Sequence, residues 1–221
     1  SAGSNVLAPL EELRELGQSI AVDATNVYWS GAGGGAMKVC AKAGCGGTPS
    51  TLFTIPQGDN IVAIAVADGS LFAANIGGPP SSATASVLSC PTSGCATPTV
   101  FAASADNPVL DLVVSGTAVL WSTDGATADL LSCPLGGCAA SPVTMATRPA
   151  PGWGALAADQ SQVYGVAGLT YPNAIVSCAW SGCGAGPATV VTGNIAPGSL
   201  AVDSTYLFWA SDVGCIMRAP K

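Results

Sequence analysis

One six-residue device, two cysteines with four residues between them, occurs four times: CAKAGC at 40–45, CPTSGC at 90–95, CPLGGC at 133–138 and CAWSGC at 178–183. The first cysteines stand 50, 43 and 45 residues apart. A chain with such a period folds as stacked copies of one supersecondary unit, because a single unit of that size cannot bury its own apolar face. The unit extends beyond the cysteines. SIAVDATNVYWS (19–30) matches SLAVDSTYLFWA (199–210) almost position for position. AIAVADGSLFAA (63–74), DLVVSGTAVLWS (111–122) and ALAADQSQVYGV (155–166) are weaker copies.

Each repeat reads as four short strands; in the first these are SIAVD, NVYWS, AMKVC and TPSTLFTI. The first two strands are joined by Asp23-Ala24-Thr25-Asn26, Asp68-Gly69-Ser70, Ser115-Gly116-Thr117, Asp159-Gln160-Ser161 and Asp203-Ser204-Thr205. Asp, Ser and Gly at such places bond their own backbone or take unusual dihedrals. The pattern predicts an all-β fold, a five-bladed β-propeller of four-stranded antiparallel blades.

The helix-like stretch LEELREL aligns with a fourth strand: PLEELRELGQSIAV (9–22) lies over PSTLFTIPQGDNIVAIAV (49–66) with a gap. CIMRAPK at the other end reads as a third strand with no fourth after it. The N-terminal outer strand at 6–16 is therefore expected to complete the C-terminal blade and close the ring, which removes open sheet edges. One domain over 1–221 results, with blades near 17–59, 60–107, 108–151, 152–198, and 199–221 plus 6–16. The competing arrangement is an open array capped by an N-terminal helix.

In the first strands one parity is large: Ile20 and Val22, Ile64 and Val66, Leu112 and Val114, Leu156 and Ala158, Leu200 and Val202. The other is mostly small: Ser19 and Ala21, Ala63 and Ala65, Ala155 and Ala157, Ser199 and Ala201. Strands converging on an axis need small side chains on one face.

Each C-x4-C falls where a third strand turns into a fourth. Opposed strand residues have Cα atoms about 4.5–5.5 Å apart, within disulfide reach. The expected bonds are Cys40–Cys45, Cys90–Cys95, Cys133–Cys138 and Cys178–Cys183, each pinning a local hairpin. Zinc needs about four ligands in one tetrahedron. Third strands about 15 Å from the axis, at a strand spacing of about 4.8 Å, hold neighbouring pairs too far apart. No metal is expected, and the redox spacing C-x-x-C is not the one present. Cys215, in SDVGCIM, matches no other cysteine and is expected to be a free thiol.

Regularly paired cysteines imply an oxidising compartment, so a secreted, periplasmic or cell-surface location is expected. Six Lys and Arg stand against 13 Asp and Glu, a formal net charge of −7. No stretch is basic, which argues against nucleic acid and anionic membrane as partners. The apolar run IVAIAVA (61–67) is too short for a membrane span. With no signal peptide visible, the chain reads as a mature or trimmed form, and a monomer is expected.

The sequence contains no histidine, which excludes Ser-His, Cys-His and His-ligated metal chemistry. GAGGGA (31–36) is a flexible loop between a second and a third strand and opens no helix in the manner of a phosphate loop, and no cofactor is expected. Paired carboxylates are what glycoside hydrolysis requires. Asp111 is the one acid in an innermost strand, at the position held by Ser19, Ala63, Ala155 and Ser199. It is the weak catalytic candidate, with Asp59 and Asp106 on the same rim. Asp23, Asp159 and Asp203 recur at one repeat position and are read as Asx turns.

Trp29, Trp121 and Trp209 end second strands, Trp153 precedes a first strand, and Tyr171 lies in GLTYPN. All five are candidate stacking platforms for the apolar faces of sugar rings. The competing reading makes the second-strand tryptophans core; Trp153 and Tyr171 are expected to be accessible. Trp180, inside a cysteine hairpin, reads as a separate exposed residue.

The pattern SIAVDATNVYWS…GAMKV followed by TPSTLFTI resembles the short repeats of secreted bacterial β-propellers of the NHL, TolB and YncE-like group. That resemblance implies an interaction scaffold, and no functional residue is carried over from it. The loops SGAGGGA, NIGGPPSSATAS, STDGATAD, AGLTYPNA and SDVGC vary while the strands keep their pattern. The expected function is therefore binding of a ligand, carbohydrate in particular, or of a protein partner on the rim of fourth-to-first and second-to-third loops. Alternatives are a carboxylate-dependent glycosidase or lyase using Asp111, and a structural surface or matrix component.

Overall fold

The computed structural model describes residues 19–30, 36–55, 60–77, 85–103, 107–125, 127–138, 141–149, 153–168, 173–193, 197–211 and 214–221. Among these residues every regular element is a strand, and the strands form five consecutive antiparallel sheets. Sheet 1 holds β1 (Ile20–Val22), β2 (Asn26–Ser30), β3 (Ala36–Ala41) and β4 (Ser50–Thr54). Sheet 2 holds β5 (Ile61–Ala67), β6 (Ser70–Asn75), β7 (Ser86–Pro91) and β8 (Thr99–Ala103). Sheet 3 holds β9 (Val109–Ser115), β10 (Ala118–Thr123), β11 (Thr127–Pro134) and β12 (Val143–Pro149). Sheet 4 holds β13 (Trp153–Ala158), β14 (Gln162–Ala167), β15 (Asn173–Ala179) and β16 (Ala188–Gly193). Sheet 5 holds β17 (Pro197–Val202), β18 (Tyr206–Ser211) and β19 (Ile216–Pro220). Each sheet is a simple meander in chain order. The segment 6–16, expected to add a fourth strand to sheet 5, lies outside the described residues.

Two local devices set the meander. Three of the five first-to-second turns are Asx turns. Asp23 Oδ1 accepts from the N–H groups of Thr25 and Asn26, both at 2.7 Å. Asp159 Oδ1 accepts from Ser161 at 2.7 Å and Gln162 at 2.8 Å, and Asp203 Oδ1 from Thr205 and Tyr206, both at 2.7 Å. A carboxylate that already holds two turn amides pre-forms the reversal of the chain. The second device is the cysteine loop. In all four copies the N–H of the glycine before the second cysteine donates to the carbonyl of the residue after the first. These bonds are Gly44 to Ala41, Gly94 to Pro91, Gly137 to Pro134 and Gly182 to Ala179, at 2.8–2.9 Å. That glycine has φ of +99° to +117°, a conformation costly for any residue with a Cβ. All four expected disulfides form, with Cα separations of 4.7–5.9 Å. The second cysteine lies in the loop ahead of the fourth strand, so the bond closes the turn itself rather than bridging two strands.

Packing between sheets gives the disulfides a second task. First strands adjoin in order, β1 on β5, β5 on β9, β9 on β13 and β13 on β17. The apolar clusters straddle these junctions. Cys90 and Cys95 of sheet 2 pack with Tyr28 and Met37 of sheet 1. Cys133 and Cys138 of sheet 3 pack with Phe72 and Ala102 of sheet 2, and Cys178 and Cys183 of sheet 4 with Leu120 and Leu130 of sheet 3. In sheet 5, Ala219 joins the cluster against Tyr164 and Ile175 of sheet 4. These three disulfides are thus wedges against the preceding sheet as well as local staples, while Cys40–Cys45 packs on Trp29 and Val27 of its own sheet. The large parity of the first strands follows the same rule: Ile64, Leu112 and Leu156 are 3–6% exposed. Each such burial contributes about 1.5–3 kcal/mol. Ile20 and Val22, their counterparts in sheet 1, are 69% and 57% exposed.

Candidate functional site

The first strands begin around a common cavity of about 350 Å³. Ser19, Ala63, Asp111, Ala155 and Ser199 line it, one residue from each sheet and all at one repeat position. This is the small parity read from sequence as a packing requirement, and it puts the cavity on the fourth-to-first loop rim. The volume sits at the small end of the roughly 300–1,000 Å³ typical of small-molecule pockets.

The polar members of this ring tie adjoining sheets together. Ser19 Oγ accepts from the N–H of Ile64 at 2.9 Å, and Asp111 Oδ2 accepts from the N–H of Leu156 at 2.7 Å. Both bonds run to the residue 45 positions on, one repeat along the chain. Asp111 Oδ1 accepts from Leu112 N–H at 2.8 Å. Asp111 is partly buried, and burial pushes its carboxyl up to about 6 against the pull of the Leu156 and Leu112 amides. Among the described residues it is the only titratable one lining the cavity. Asp59 and Asp106, its expected partners, lie outside the described residues.

Carboxylates on the opposite rim have the contrary electrostatics. The Tyr28 hydroxyl donates to Asp23 Oδ2 at 2.7 Å and, with the Thr25 and Asn26 amides, holds that carboxyl below its ordinary value. Burial works against ionisation of Asp159, yet Lys221 Nζ at 2.6 Å and the amides of Ser161 and Gln162 outweigh it and lower its pKa. Burial and the Asp159 charge push Tyr164 up to about 12. These are satisfied, architectural groups. Among the described residues no three Cys, Asp or Glu side chains come together as a metal-holding group. Cys215 is free and exposed.

The tryptophans lie in the walls. Trp121, Trp209 and Trp29 are 0%, 4% and 9% exposed, each on a second strand; Trp121 and Trp209 pack between sheets, and Trp29 packs on Val27 and the Cys40–Cys45 bond of its own sheet. Trp153, expected to be accessible, is 1% exposed and packs with Leu120 and Leu130 of sheet 3. The reason is a substitution within the repeat. Sheet 4 has Gly165 where sheets 1, 3 and 5 have Trp29, Trp121 and Trp209. A Cβ on Gly165 would lie 3.0 Å from the Trp153 ring, so Trp153 fills the space of the missing second-strand indole from the neighbouring strand. The Arg148 guanidinium covers its ring at 5.6 Å. Trp180 is likewise less exposed than expected: it is half-buried, and its indole N–H donates to the Asp159 carbonyl at 2.9 Å. Tyr171 lies outside the described residues. Ser19 and Ser199 were legible only as small residues; their hydroxyls on the cavity had no separate signal.

No family model matches the chain, and no curated protein matches it. Solved structures do. A gluconolactonase from Xanthomonas campestris superposes with a TM-score of 0.63 at 17% identity, over 89% of this chain and 70% of that one. Human WBSCR16 gives 0.62 at 12% identity, over 95% of this chain and 63% of that one. A PQQ-bound aldose sugar dehydrogenase from Streptomyces coelicolor gives 0.60 at 13% identity, over 92% and 76%. At such identities the likeness is one of fold, and the fold is β-propeller-like.

Proposed function

We propose that the chain is a disulfide-stapled five-bladed propeller, a single monomeric domain exported to an oxidising compartment, that binds a carbohydrate at the rim where its first strands begin. One observation carries this reading: every sheet contributes the same repeat position to one cavity, and among the described residues a single carboxylate, that of Asp111, is placed there. A closed ring follows from the repeat rule. Closure sets Ile20, Val22, Trp29 and the Cys40–Cys45 wedge against sheet 5, and Ser199 Oγ in line for the Ile20 amide as Ser19 is for Ile64. Strand 6–16 on the free edge of β19 would complete it. The wall tryptophans then hold the cavity's shape. The sugar class is supported by the names of two fold neighbours, a gluconolactonase and an aldose sugar dehydrogenase. A glycan array followed by titration calorimetry tests the proposal. A saturable sugar hit, weakened by Ser199→Leu, is expected; a blank array followed by capture of a protein partner on the same rim overturns the sugar reading.

A second reading, carboxylate-dependent glycosidase or lyase chemistry, draws on the Asp111 carboxyl lying near 6, where acid and base forms coexist. It requires turnover of an aryl glycoside or uronate polymer that vanishes in Asp111→Asn.

A further inference from the structure

We infer that the group anchoring the ligand is a protonated amine, so that the cavity takes an amino sugar in preference to a neutral or acidic one. This rests on the carbohydrate reading above. Asp111 is its ground. Each carboxylate oxygen holds one backbone N–H, from Leu112 and Leu156, while a carboxylate offers about four acceptor positions. Capacity therefore remains for a ligand. The strands packed on β9 are β5, β6, β10 and β13. Their sequences, IVAIAVA, SLFAAN, AVLWST and WGALAA, contain no titratable side chain. Among the described residues no Lys or Arg lines the cavity. Charges taken out of water are normally paired, and among the described residues this one faces only dipoles. Burial accordingly pushes the carboxyl up to about 6.

A ligand ammonium supplies the missing charge. Its N–H donors suit the remaining acceptor positions of Asp111, and the hydroxyls of Ser19 and Ser199 line the same cavity for the rest of the sugar. The polarity continues one strand outward. Ser30 and Ser122, 1% and 0% exposed, lie directly across from Ser19 and Asp111, and their hydroxyls have no hydrogen-bond partner among the described residues. In sheets 2 and 5 the corresponding pairs are Ala63 with Ala74 and Ser199 with Ala210. The buried polar layer is thus built behind Ser19 and Asp111. A sugar acid meets the opposite situation, since its carboxylate would face Asp111 with no cation between them.

The test is calorimetric titration of the whole chain with D-glucosamine, N-acetyl-D-glucosamine, D-glucose and D-glucuronate. At about pH 7 glucosamine is expected to bind roughly tenfold or more tighter than the two neutral sugars, with glucuronate weakest. Its affinity should fall by roughly tenfold towards about pH 5 as Asp111 takes up its proton. Asp111→Asn should remove both the preference and the pH dependence. A second measurement needs no variant: carbon NMR of the Asp111 carboxyl, whose pKa glucosamine should lower and glucose should not. Equal binding of glucosamine and glucose, or an unmoved carboxyl pKa with glucosamine bound, overturns the inference and leaves the carbohydrate reading standing. Absence of binding by all four sugars overturns both.

Discussion

Asp111 and Asp159 are the same residue type on opposite rims of one scaffold, and their surroundings push them in opposite directions. Asp159 accepts two turn amides and the Lys221 ammonium, and its pKa falls. Asp111 also accepts two amides, yet among the described residues no cation lines its cavity, and its pKa rises to about 6. Asp159 gathers five hydrogen bonds, from Ser161, Gln162, Tyr164 and Lys221, one of them charged, where Asp111 has two neutral ones set against its burial. The turn rim has satisfied its carboxylates and is architecture. The cavity rim has left one charge uncompensated, which costs stability and makes sense as a place for a ligand.

The largest effect tests whether the cavity wall is structural. Trp153→Ala empties the space that Gly165 leaves, and it should destabilise the chain by about 3–5 kcal/mol in denaturant unfolding. A loss below about 1 kcal/mol would mean the indole is not core. Next comes the contrast between the carboxylates themselves. The raised Asp111 pKa means the folded state holds that proton more tightly than the unfolded chain. Stability should therefore fall as pH rises from about 4 to about 6, by about 2–3 kcal/mol at most. Asp111→Asn should flatten that slope. Asp159 and Asp23, with lowered pKa values, should act in the reverse sense, their contribution being lost as pH falls below about 4. A stability profile that rises steadily from pH 4 to pH 7 would break the comparison. The smallest effect concerns Lys221, whose ion pair is partly solvated, at 21% and 18% side-chain exposure. Lys221→Met should cost under about 1 kcal/mol, and less in high salt.

Much of the strand order was legible because the repeat supplied its own internal controls. A position seen five times distinguishes turn from strand better than any propensity. The Asx turns at Asp23, Asp159 and Asp203 and the four disulfides were found this way. Trp153 was misread because it lies at a place where the repeat had been broken. Its signal was the glycine at 165, a missing large residue across the sheet, and an aligned reading looks along the chain rather than across it.

The periodicity by itself determined the all-β class, the five-fold count of sheets, the cysteine pairing and the small parity of the first strands. These follow from contacts within one repeat or between like positions. Only the tertiary structure decided that the small parity surrounds a cavity, that three of the disulfides wedge against the preceding sheet, and that Asp111 has amides for partners and, among the described residues, no cation. Those properties belong to the space between repeats, where side chains from different copies meet at distances that no alignment of the copies contains.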